Sequence, residues 1–467
     1  MSVSEQKVLA WCRTLLGVNP TAPQMTLEQY LAVIPRLQSL SDIPRGTSVL
    51  IRGDVDAKPG AKIGDGDERL RSMVETLQFG IERGWKQIIF GHIGRKPDGS
   101  LKAVAARIGE LLGQKVPLMT DWLDEATTTI RAEAAAAIRD MQPGSILVLD
   151  NTRRYAIERV LWDAKPDELP ETVPQLARLA NEFAEKVAKV YVNEALSAGS
   201  LDSSSTIVPA AMDRVALGAY VAGEFDGPMR RCLKTQLVIF SGLKIDKLDD
   251  LQAMIDRGTI RWVFAAGSLA MALKKGAGEL DGAEVGLGLA EDPSQSDKPF
   301  YIGRERIEQA QRMIAAGRQK GIEFVLPVDF VLQDGRASDT IGQGDQQFDI
   351  GPKTSELFER KVGEFIASSK PRIAAGQPPV VFHNGVFGMF EDPRFEEGTR
   401  RFVAQLKRMK DAGVEVYVGG GEGGKALEKY GQPDCVTHSF TAGGTVLNAL
   451  GSEPVPYLQA LQMAVQR

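Results

Sequence analysis

Short apolar runs alternate with amphipathic stretches along most of this 467-residue chain. Each run is rich in Val, Ile, Leu and Phe, and a glycine-containing loop separates it from a stretch whose apolar residues recur at spacings of three and four. Because parallel strands need long crossover connections, this alternation predicts α/β domains with doubly wound parallel sheets. Ligands of such sheets bind beyond the carboxyl ends of the strands.

The strands that this pattern predicts lie at residues 47–52, 87–91, 145–150, 190–193, 237–242, 262–266, 324–329, 380–385 and 414–420. The predicted helices lie at residues 69–84, 101–113, 169–188, 304–321 and 399–413.

The length of the chain predicts two domains, because a single hydrophobic core rarely grows beyond roughly 250–300 residues. We place the first domain at about 1–220 and the second at about 235–450, with a connecting helix at 215–233. The stretch 276–300 is rich in Gly, Asp and Ser, so we expect a mobile surface loop there.

The composition is that of an ordinary globular protein, with 43% apolar and 25% charged residues. A net charge of -5 excludes a broadly basic protein that binds nucleic acid. The three cysteines, Cys12, Cys232 and Cys435, form no CxxC pair, which is typical of a reducing compartment. No apolar run approaches the ~18 residues of a membrane span and no secretory signal opens the chain, so we expect a cytoplasmic protein without a membrane partner.

Two glycine-rich loops precede predicted helices in the second half of the chain. The first, GGGEGGK at 419–425, satisfies GxGxxG and most of a P-loop, but Ala426 stands where a P-loop has Ser or Thr. The second places Gly443 and Gly444 before Thr445. Glycine loops at helix N-termini direct amides at anionic oxygens, so the pair predicts a polyphosphate site. A tight turn without a ligand is the alternative for each loop.

Charged residues lie at the ends of several predicted strands in the first half of the chain, in the loops that follow them or at the start of the next helix: Arg52, Asp54, Asp56, Arg69, His92, Arg95, Arg153 and Arg154. A doubly wound sheet gathers such positions on one rim. Arginine binds phosphate and carboxylate in a bidentate manner, so the group predicts a site for a small anion. A surface ion pair is the alternative for any single arginine. The three histidines have no i,i+4 pair, and we do not predict a metal site made of them.

In chain order, these segments resemble the phosphoglycerate kinase family. The matching segments are IRGDVDAKPG, RL at 69–70, GHIGRKPDGS, DNTRRY, SGLKIDK, LPVD at 326–329, DIGPKT at 349–354, HNGVFGMFEDP, GGGE at 419–422 and TAGGT at 441–445. The resemblance runs from about residue 37 to the C-terminus. It implies two doubly wound parallel-sheet, Rossmann-like domains joined by a helical hinge, and domain closure during turnover.

The resemblance also implies a role for each part of the chain. The expected parts are an N-terminal extension at 1–40, an acceptor-binding domain at 41–220, a hinge helix at 221–236, a nucleotide-binding domain at 237–450 and a C-terminal segment at 451–467 that returns to the first domain.

The activity implied by the resemblance is that of a monomeric carboxylate kinase. It would transfer the γ-phosphoryl group of ATP reversibly, with Mg²⁺, to the carboxylate of 3-phosphoglycerate or a close analogue. The implied substrate-binding residues are Asp54, Asp56, Arg69, His92, Arg95 and Arg153, and the implied catalytic residues are Arg69, Lys247, Gly443 and Gly444. The implied nucleotide-binding residues are Lys244, Lys247, Asn384, Glu391, Gly420, Gly421, Glu422 and Thr445, with Glu422 also at the metal.

Several positions depart from the family pattern. Asp56 replaces an Asn, and Leu201 in SLDS at 200–203 replaces an Arg that binds the substrate phosphate. Gly423 replaces a Ser or Thr, and Ala442 replaces the first glycine of the last triad. These departures leave open a kinase that acts on a phosphonate or another small hydroxy acid, and a non-catalytic descendant that binds a nucleotide or a protein. A dehydrogenase that uses the Gly419 loop is a further alternative.

Overall fold

The computed structural model describes residues 2–243, 245–432, 434–451 and 454–466. The chain forms two compact units, of which the first comprises Met1–Asp226 and Pro454–Arg467 and the second Gly227–Glu453. Each unit has its own six-stranded sheet whose neighbouring strands are parallel. The predicted fold class, α/β with two doubly wound parallel sheets, is confirmed.

The strands of the first unit are β1 Ser48–Gly53, β2 Lys86–Phe90, β3 Leu118–Met119, β4 Leu123–Asp124, β5 Thr129–Ile130, β6 Ile146–Leu149, β7 Val190–Glu194 and β8 Arg214–Leu217. The helices in the N-terminal segment of this unit are α1 Glu5–Leu15, α2 Leu27–Val33, α3 Glu68–Ser72, α4 Val74–Glu82, α5 Lys102–Leu112, α6 Ala132–Arg139, α7 Leu169–Lys186, α8 Ser203–Thr206 and α9 Ala219–Glu224. The sheet order is β3-β6-β2-β1-β7-β8, and β4 and β5 form a separate antiparallel pair.

The strands of the second unit are β9 Thr235–Phe240, β10 Trp262–Ala265, β11 Glu323–Val325, β12 Phe330–Leu332, β13 Ala337–Ser338, β14 Gln347–Ile350, β15 Val380–Asn384, β16 Glu415–Gly419 and β17 His438–Phe440. Its helices are α10 Arg230–Cys232, α11 Lys247–Asp256, α12 Gly267–Asp281, α13 Arg304–Gln319, α14 Pro352–Ala374, α15 Glu397–Asp411, α16 Gly421–Tyr430 and α17 Gly443–Leu450. The main sheet has the order β11-β10-β9-β15-β16-β17, and β13-β12-β14 form a small antiparallel sheet.

The two ends of the chain pack on the first unit. The indole nitrogen of Trp11 on α1 donates to the carbonyl of Thr206, 2.8 Å away. The last helix, α18 at Pro456–Val465, buries Tyr457 and Leu461 completely, and Gln459 donates to the carbonyl of Thr14. Burial of these large side chains attaches both ends to the first core.

The connection between the units is partly helical. After α9 the chain forms a π-helical turn at Phe225–Met229, which contains Pro228, and continues as α10. Proline has no N–H to donate, so it interrupts the ordinary ladder of α-helical hydrogen bonds. The helical segment ends with α10, and residues 235–236 of the predicted hinge helix belong to β9.

Some of the element predictions were wrong. Residues 215–217, predicted as the start of the connecting helix, form β8, because this apolar segment pairs with β7 at the edge of the sheet. The helix predicted at 69–84 is interrupted at Met73 between α3 and α4. The strand predicted at 324–329 ends at Val325, just before Pro327, and proline disrupts strand pairing.

The predicted loop at 276–300 begins as a helix, since residues 276–281 are the last turns of α12. Its glycines allow α12 to approach α13: a Cβ on Gly276 would lie 2.7 Å from the backbone nitrogen of Gln311. Glycine enrichment here reflects close helix packing, so the loop prediction was wrong for this part.

We predict that Gly276→Ala lowers the free energy of unfolding by about 1–3 kcal/mol, because the added methyl group forces α12 and α13 apart. Urea denaturation followed by circular dichroism measures this change. Gly424→Ala in α16 is the matched control, since its Cβ would meet no atom within 4 Å. This control should leave stability unchanged or raise it by about 0.5–1 kcal/mol. Equal stability of Gly276→Ala and the native chain would contradict the packing argument.

Candidate functional site

The carboxyl ends of β1, β2, β6 and β7 meet at one edge of the first sheet, because these strands are parallel neighbours. The residues that follow them include Asp54, Asp56, His92 and Arg153, all predicted to bind substrate. The structure places Asp54 and Asp56 around Arg69, and His92 and Arg153 around Asp202. The backbone of Gly94 joins the two clusters, because it donates to Asp56 and accepts from Arg153, and we call them together the acceptor rim.

Arg69 lies between two aspartates at the end of β1. Its guanidinium nitrogen Nη1 is 3.6 Å from Oδ1 of Asp54 and 3.4 Å from Oδ2 of Asp56, and it donates to the Asp56 carbonyl at 3.2 Å. Asp54 is fully buried and accepts a hydrogen bond from Ser197, whereas its Oδ2 has no hydrogen-bond partner among the described residues. The Arg69 side chain remains 26% exposed, so a ligand can reach it.

Asp202 is the centre of the acceptor rim. Its buried carboxylate accepts hydrogen bonds from Nη2 of Arg153 at 3.0 Å and from the indole nitrogen of Trp162 at 2.9 Å. Nδ1 of His92 is 3.2 Å away. Burial pushes the pKa of Asp202 upward, but His92 and the nearby arginines outweigh it and hold this pKa below its usual value. Asp202 therefore places a negative charge of the chain itself among the cations that were predicted to bind substrate.

Arg52 is buried behind this carboxylate. Its Nη2 contacts Nδ1 of His92 at 2.7 Å and lies 3.7 Å from Asp202. Burial lowers the pKa of His92, the hydrogen bond with Asp202 opposes this effect, and the positive charge of Arg52 adds to the lowering. Nε of Arg52 donates to Ser204, whose hydroxyl donates to Glu158 at 2.5 Å. Burial raises the pKa of Glu158.

Three charged residues of this network were not predicted as site residues: Asp202, Glu158 and Arg52, although Arg52 belonged to the predicted cationic rim. Asp202 lies in SLDS at 200–203, where the prediction concerned only the arginine that Leu201 replaces. An acidic residue directly after a position that lacks the expected basic residue was the signal that could have identified Asp202. Arg95 is exposed, and its guanidinium has no ion pair within the described ranges.

In the second unit, glycine-containing loops converge at the carboxyl edge of the main sheet. A Cβ on Gly443 would overlap the Cα of Gly420 and lie 3.0 Å from its nitrogen, so the two glycine-rich loops are in contact. Gly420 has a φ of 108°, which favours glycine. A Cβ on Gly267, which begins α12, would lie 2.9 Å from the nitrogen of Gly242. Adjacent helix N-termini of this kind suit an anion with several charged oxygens.

One positively charged and one negatively charged side chain, those of Lys247 and Glu422, lie near the Gly242 loop. A Cβ on Gly242 would lie 3.0 Å from Nζ of Lys247 and 3.9 Å from Oε2 of Glu422. Lys247 donates to the carbonyl of Ser241 at 2.6 Å. The predicted residue Lys244 lies outside the described residues.

The remaining predicted nucleotide residues occupy the same edge of the sheet or the loops that follow it. Asn384 ends β15 and donates from Nδ2 to the Gly419 carbonyl at 2.7 Å, which ties two neighbouring loops together. Thr445 is buried in the first turn of α17, and Gly421 and Glu422 begin α16. Glu391 is exposed, and no contact links it to this edge in the described part of the chain.

Two intact sequence blocks hold this unit together. Asp329 of LPVD accepts from the amides of Lys353 and Thr354, at 3.0 and 2.7 Å, and so caps the start of α14. Asp349 of DIGPKT accepts from the amide of Gly398 at 2.8 Å, which anchors the loop after β15. Burial raises the pKa of Asp349 to about 7.

The residues present fit a magnesium ion held mainly by phosphate oxygens. Mg²⁺ usually takes one or two protein carboxylates together with substrate phosphates, and Glu422 is an exposed carboxylate beside Lys247. No group of three His, Cys, Asp or Glu side chains suited to an all-protein metal cage occurs within the described ranges. Among the described helices, none has the length and apolar content needed to cross a bilayer.

Comparison with known proteins identifies the family. The family model "Phosphoglycerate kinase" matches residues 40–453. Phosphoglycerate kinases of Clostridium beijerinckii and Clostridium botulinum are each 28% identical, over 429 and 443 residues. These alignments cover 89% and 91% of this chain and 96% and 98% of the relatives.

Solved structures show the same fold. Phosphoglycerate kinase of Coxiella burnetii matches with a TM-score of 0.63 and 22% identity, over 91% of this chain and 98% of that one. The enzyme of Pyrococcus horikoshii OT3 matches with a TM-score of 0.68 and 23% identity, over 93% and 100%. The chain belongs to the phosphoglycerate kinase family, whose members are kinases with a carboxyl acceptor that use ATP or ADP and Mg²⁺.

We predict a pH-dependent contribution of Asp349 to stability. Its folded pKa lies above the unfolded value, so the stabilisation is fully present below about pH 4 and is lost as the pH rises through about 7. The native chain should therefore lose roughly 1–3 kcal/mol of unfolding free energy relative to Asp349→Asn between about pH 5 and pH 8. Urea denaturation at several pH values measures this difference. Asp411→Asn, at an exposed site, is the control, and a pH-independent difference for Asp349→Asn would contradict the assignment.

Proposed function

We propose that this protein is an ATP-dependent carboxylate kinase that reversibly transfers the γ-phosphoryl group of ATP to the carboxylate of phosphoglycerate or a close analogue. The product is an acyl phosphate, and the monomeric chain works in the cytoplasm. Membership in the phosphoglycerate kinase family supports the reaction class. The roles of individual residues are part of the proposal.

The observation that carries the proposal is the placement of Arg69. Its guanidinium lies beside Asp54 and Asp56 at the edge of the sheet where ligands bind, and part of it remains accessible. Phosphoryl transfer needs cationic groups that stabilise charge spread over the moving phosphoryl oxygens. Two carboxylates orient this arginine without enclosing it, which suits a group that acts on a bound ligand.

The reaction requires no nucleophilic side chain. An oxygen of the acceptor carboxylate attacks the γ-phosphorus of ATP, the bond from that phosphorus to the bridging oxygen breaks, and ADP leaves with the electron pair. In this mechanism Asp54 accepts a hydrogen bond from a hydroxyl group of the acceptor through Oδ2, which has no hydrogen-bond partner among the described residues. Arg69 stabilises the charge on the transferring group, and Arg95 supplies a further cation.

The nucleotide is assigned to the second unit. Amides of the loops at Gly420–Gly421 and Gly443–Gly444 donate to phosphate oxygens, and Lys244 and Lys247 balance the phosphate charge. Asn384 and Glu391 are assigned to positions along the nucleotide. Mg²⁺ held by Glu422 would neutralise phosphate oxygens.

A kinase for a different small hydroxy acid is the second candidate. The observation that favours it is the ion pair of Asp202 with Arg153 and its contact with His92, because a phosphate or phosphonate would compete with this carboxylate for both groups. A non-catalytic descendant that binds a nucleotide or a protein would retain the fold without acyl phosphate formation.

We predict MgATP-dependent formation of an acyl phosphate with either 3-phosphoglycerate or D-glycerate, trapped with hydroxylamine. Arg69→Ala should lower turnover by about 10²- to 10³-fold, because stabilisation of the transition state is lost. The affinity for MgATP, measured by calorimetry, should stay unchanged. Arg139→Ala, in which an arginine with 74% side-chain exposure is removed, is the control and should keep full activity. Unaltered turnover of Arg69→Ala would refute the role of this residue, and failure of the native chain to bind MgATP would refute the proposed function.

We predict that Gly443→Ala weakens MgATP binding by about 10- to 100-fold, because the added methyl group separates the two glycine loops. Gly444→Ala is a closely matched control, since its Cβ would meet no atom within 4 Å. Its affinity should stay within about threefold of the native value, which corresponds to less than ~1 kcal/mol. Calorimetric titration compares both variants, and equal affinities would show that contact between the loops does not serve nucleotide binding.

A further inference from the structure

Three arginines of the acceptor rim, Arg52, Arg69 and Arg153, already lie beside carboxylates of the chain itself. Asp202 forms an ion pair with Arg153, and its Oδ2 lies 3.7 Å from Nη2 of Arg52. The Asp202 side chain is fully buried, and its backbone carbonyl accepts from the amides of Ser205 and Thr206, so it is fixed at the start of α8. A buried charge of this kind has to be paired, and here the partners are the groups that would otherwise bind an entering anion.

Further contacts occupy Nη1 of Arg153 and the donors of Arg52, whereas Nε of Arg153 has no hydrogen-bond partner among the described residues. Nη1 of Arg153 donates to the carbonyl of Gly94 at 2.8 Å, and the Arg153 guanidinium lies 4.8 Å from the ring centre of Trp162. Trp162 itself donates to Asp202. Arg52 is 1% exposed in its side chain and donates to Ser204 and to the Gly53 carbonyl. An incoming dianion would meet the Asp202 charge and would compete with contacts that both guanidinium groups already make within the chain.

The part of the rim left for a ligand suits a hydroxyl-bearing acid with one negative charge. Oδ2 of Asp54 is a buried acceptor without a hydrogen-bond partner in the described ranges, and a hydroxyl group of a ligand would satisfy it. Arg69 is shared with two carboxylates and Arg95 has no ion pair among the described residues. Because Asp54 and Asp56 already offset the charge of Arg69, Arg95 is the cation left for a ligand, which matches a single carboxylate better than a carboxylate together with a phosphate.

We propose that the acceptor is a small hydroxy acid without a phosphate or phosphonate group, because Asp202 occupies the cationic end of the acceptor rim. This inference rests on the proposed kinase function and narrows its substrate class. The carboxylate of the acid attacks the γ-phosphorus of ATP, the new O–P bond forms, and ADP leaves with the electrons of the broken bond. The acid enters ionised, so no proton is transferred.

The test compares D-glycerate with 3-phosphoglycerate as acceptors for the full chain with MgATP, using hydroxylamine trapping. The native protein should have a kcat/KM for D-glycerate at least about 10-fold above that for 3-phosphoglycerate. Asp202→Asn keeps the shape of the side chain and removes its charge, so the ratio should move toward 3-phosphoglycerate by about 10²-fold. Asp140→Asn, which removes an exposed charge elsewhere in the same unit, should leave the ratio unchanged.

A native preference for 3-phosphoglycerate, or an unchanged ratio in Asp202→Asn, overturns the proposal. If neither acid is phosphorylated, the kinase function fails, and calorimetry with 3-phosphoglycerate tests the inference separately. Tighter binding to Asp202→Asn than to the native chain supports the inference, and equal binding overturns it. If Asp202→Asn does not fold, the native chain alone decides. Saturable binding of 3-phosphoglycerate at micromolar concentration overturns the proposal, and binding of D-glycerate without such binding supports it.

Discussion

Both units depend on parallel strands that are buried on both faces. Val49, Leu50 and Ile51 of β1 have no exposed surface, and the same holds for the apolar residues 237–240 of β9. The centres of such strands are mainly apolar, and crossover connections join parallel neighbours. Most charged residues and glycines of the two candidate sites therefore lie at the carboxyl ends of the strands and in the loops that follow them.

The LPVD and DIGPKT motifs of the second unit stabilise its fold through contacts within the chain. Asp329 caps α14, and Asp349 anchors the loop that follows β15. The raised pKa of Asp349 follows from burial and not from a catalytic neighbour. Buried carboxylates that accept backbone amides fix the start of helices and loops with little freedom. The intact motifs thus explain why the fold is retained in a chain that departs from its family at several site positions.

Charge compensation distinguishes the first unit. The family resemblance predicts a cationic pocket from Arg153, His92 and neighbouring residues, but Asp202 lies among them as their counter-ion. Desolvation makes an unpaired buried arginine costly, so the Asp202 carboxylate compensates the charge of these arginines from within the chain. Ser204 and Glu158 continue the same network around Arg52.

The sequence by itself determined the fold class, most strands of the two main sheets and the family, because hydrophobic periodicity and ordered motifs are local properties of the chain. It also identified the rim around Asp54, Arg69 and His92, since strand ends of a parallel sheet have a known common edge. Local patterns did not determine β8, whose short apolar segment becomes a strand only by pairing with β7. They misassigned Gly276, whose role depends on Gln311, 35 positions later in the chain. Only the tertiary structure decided that Asp202 compensates the cations of the rim. This pairing joins residues from the ends of separate strands, and it depends on burial and distance, which no single segment of the sequence determines.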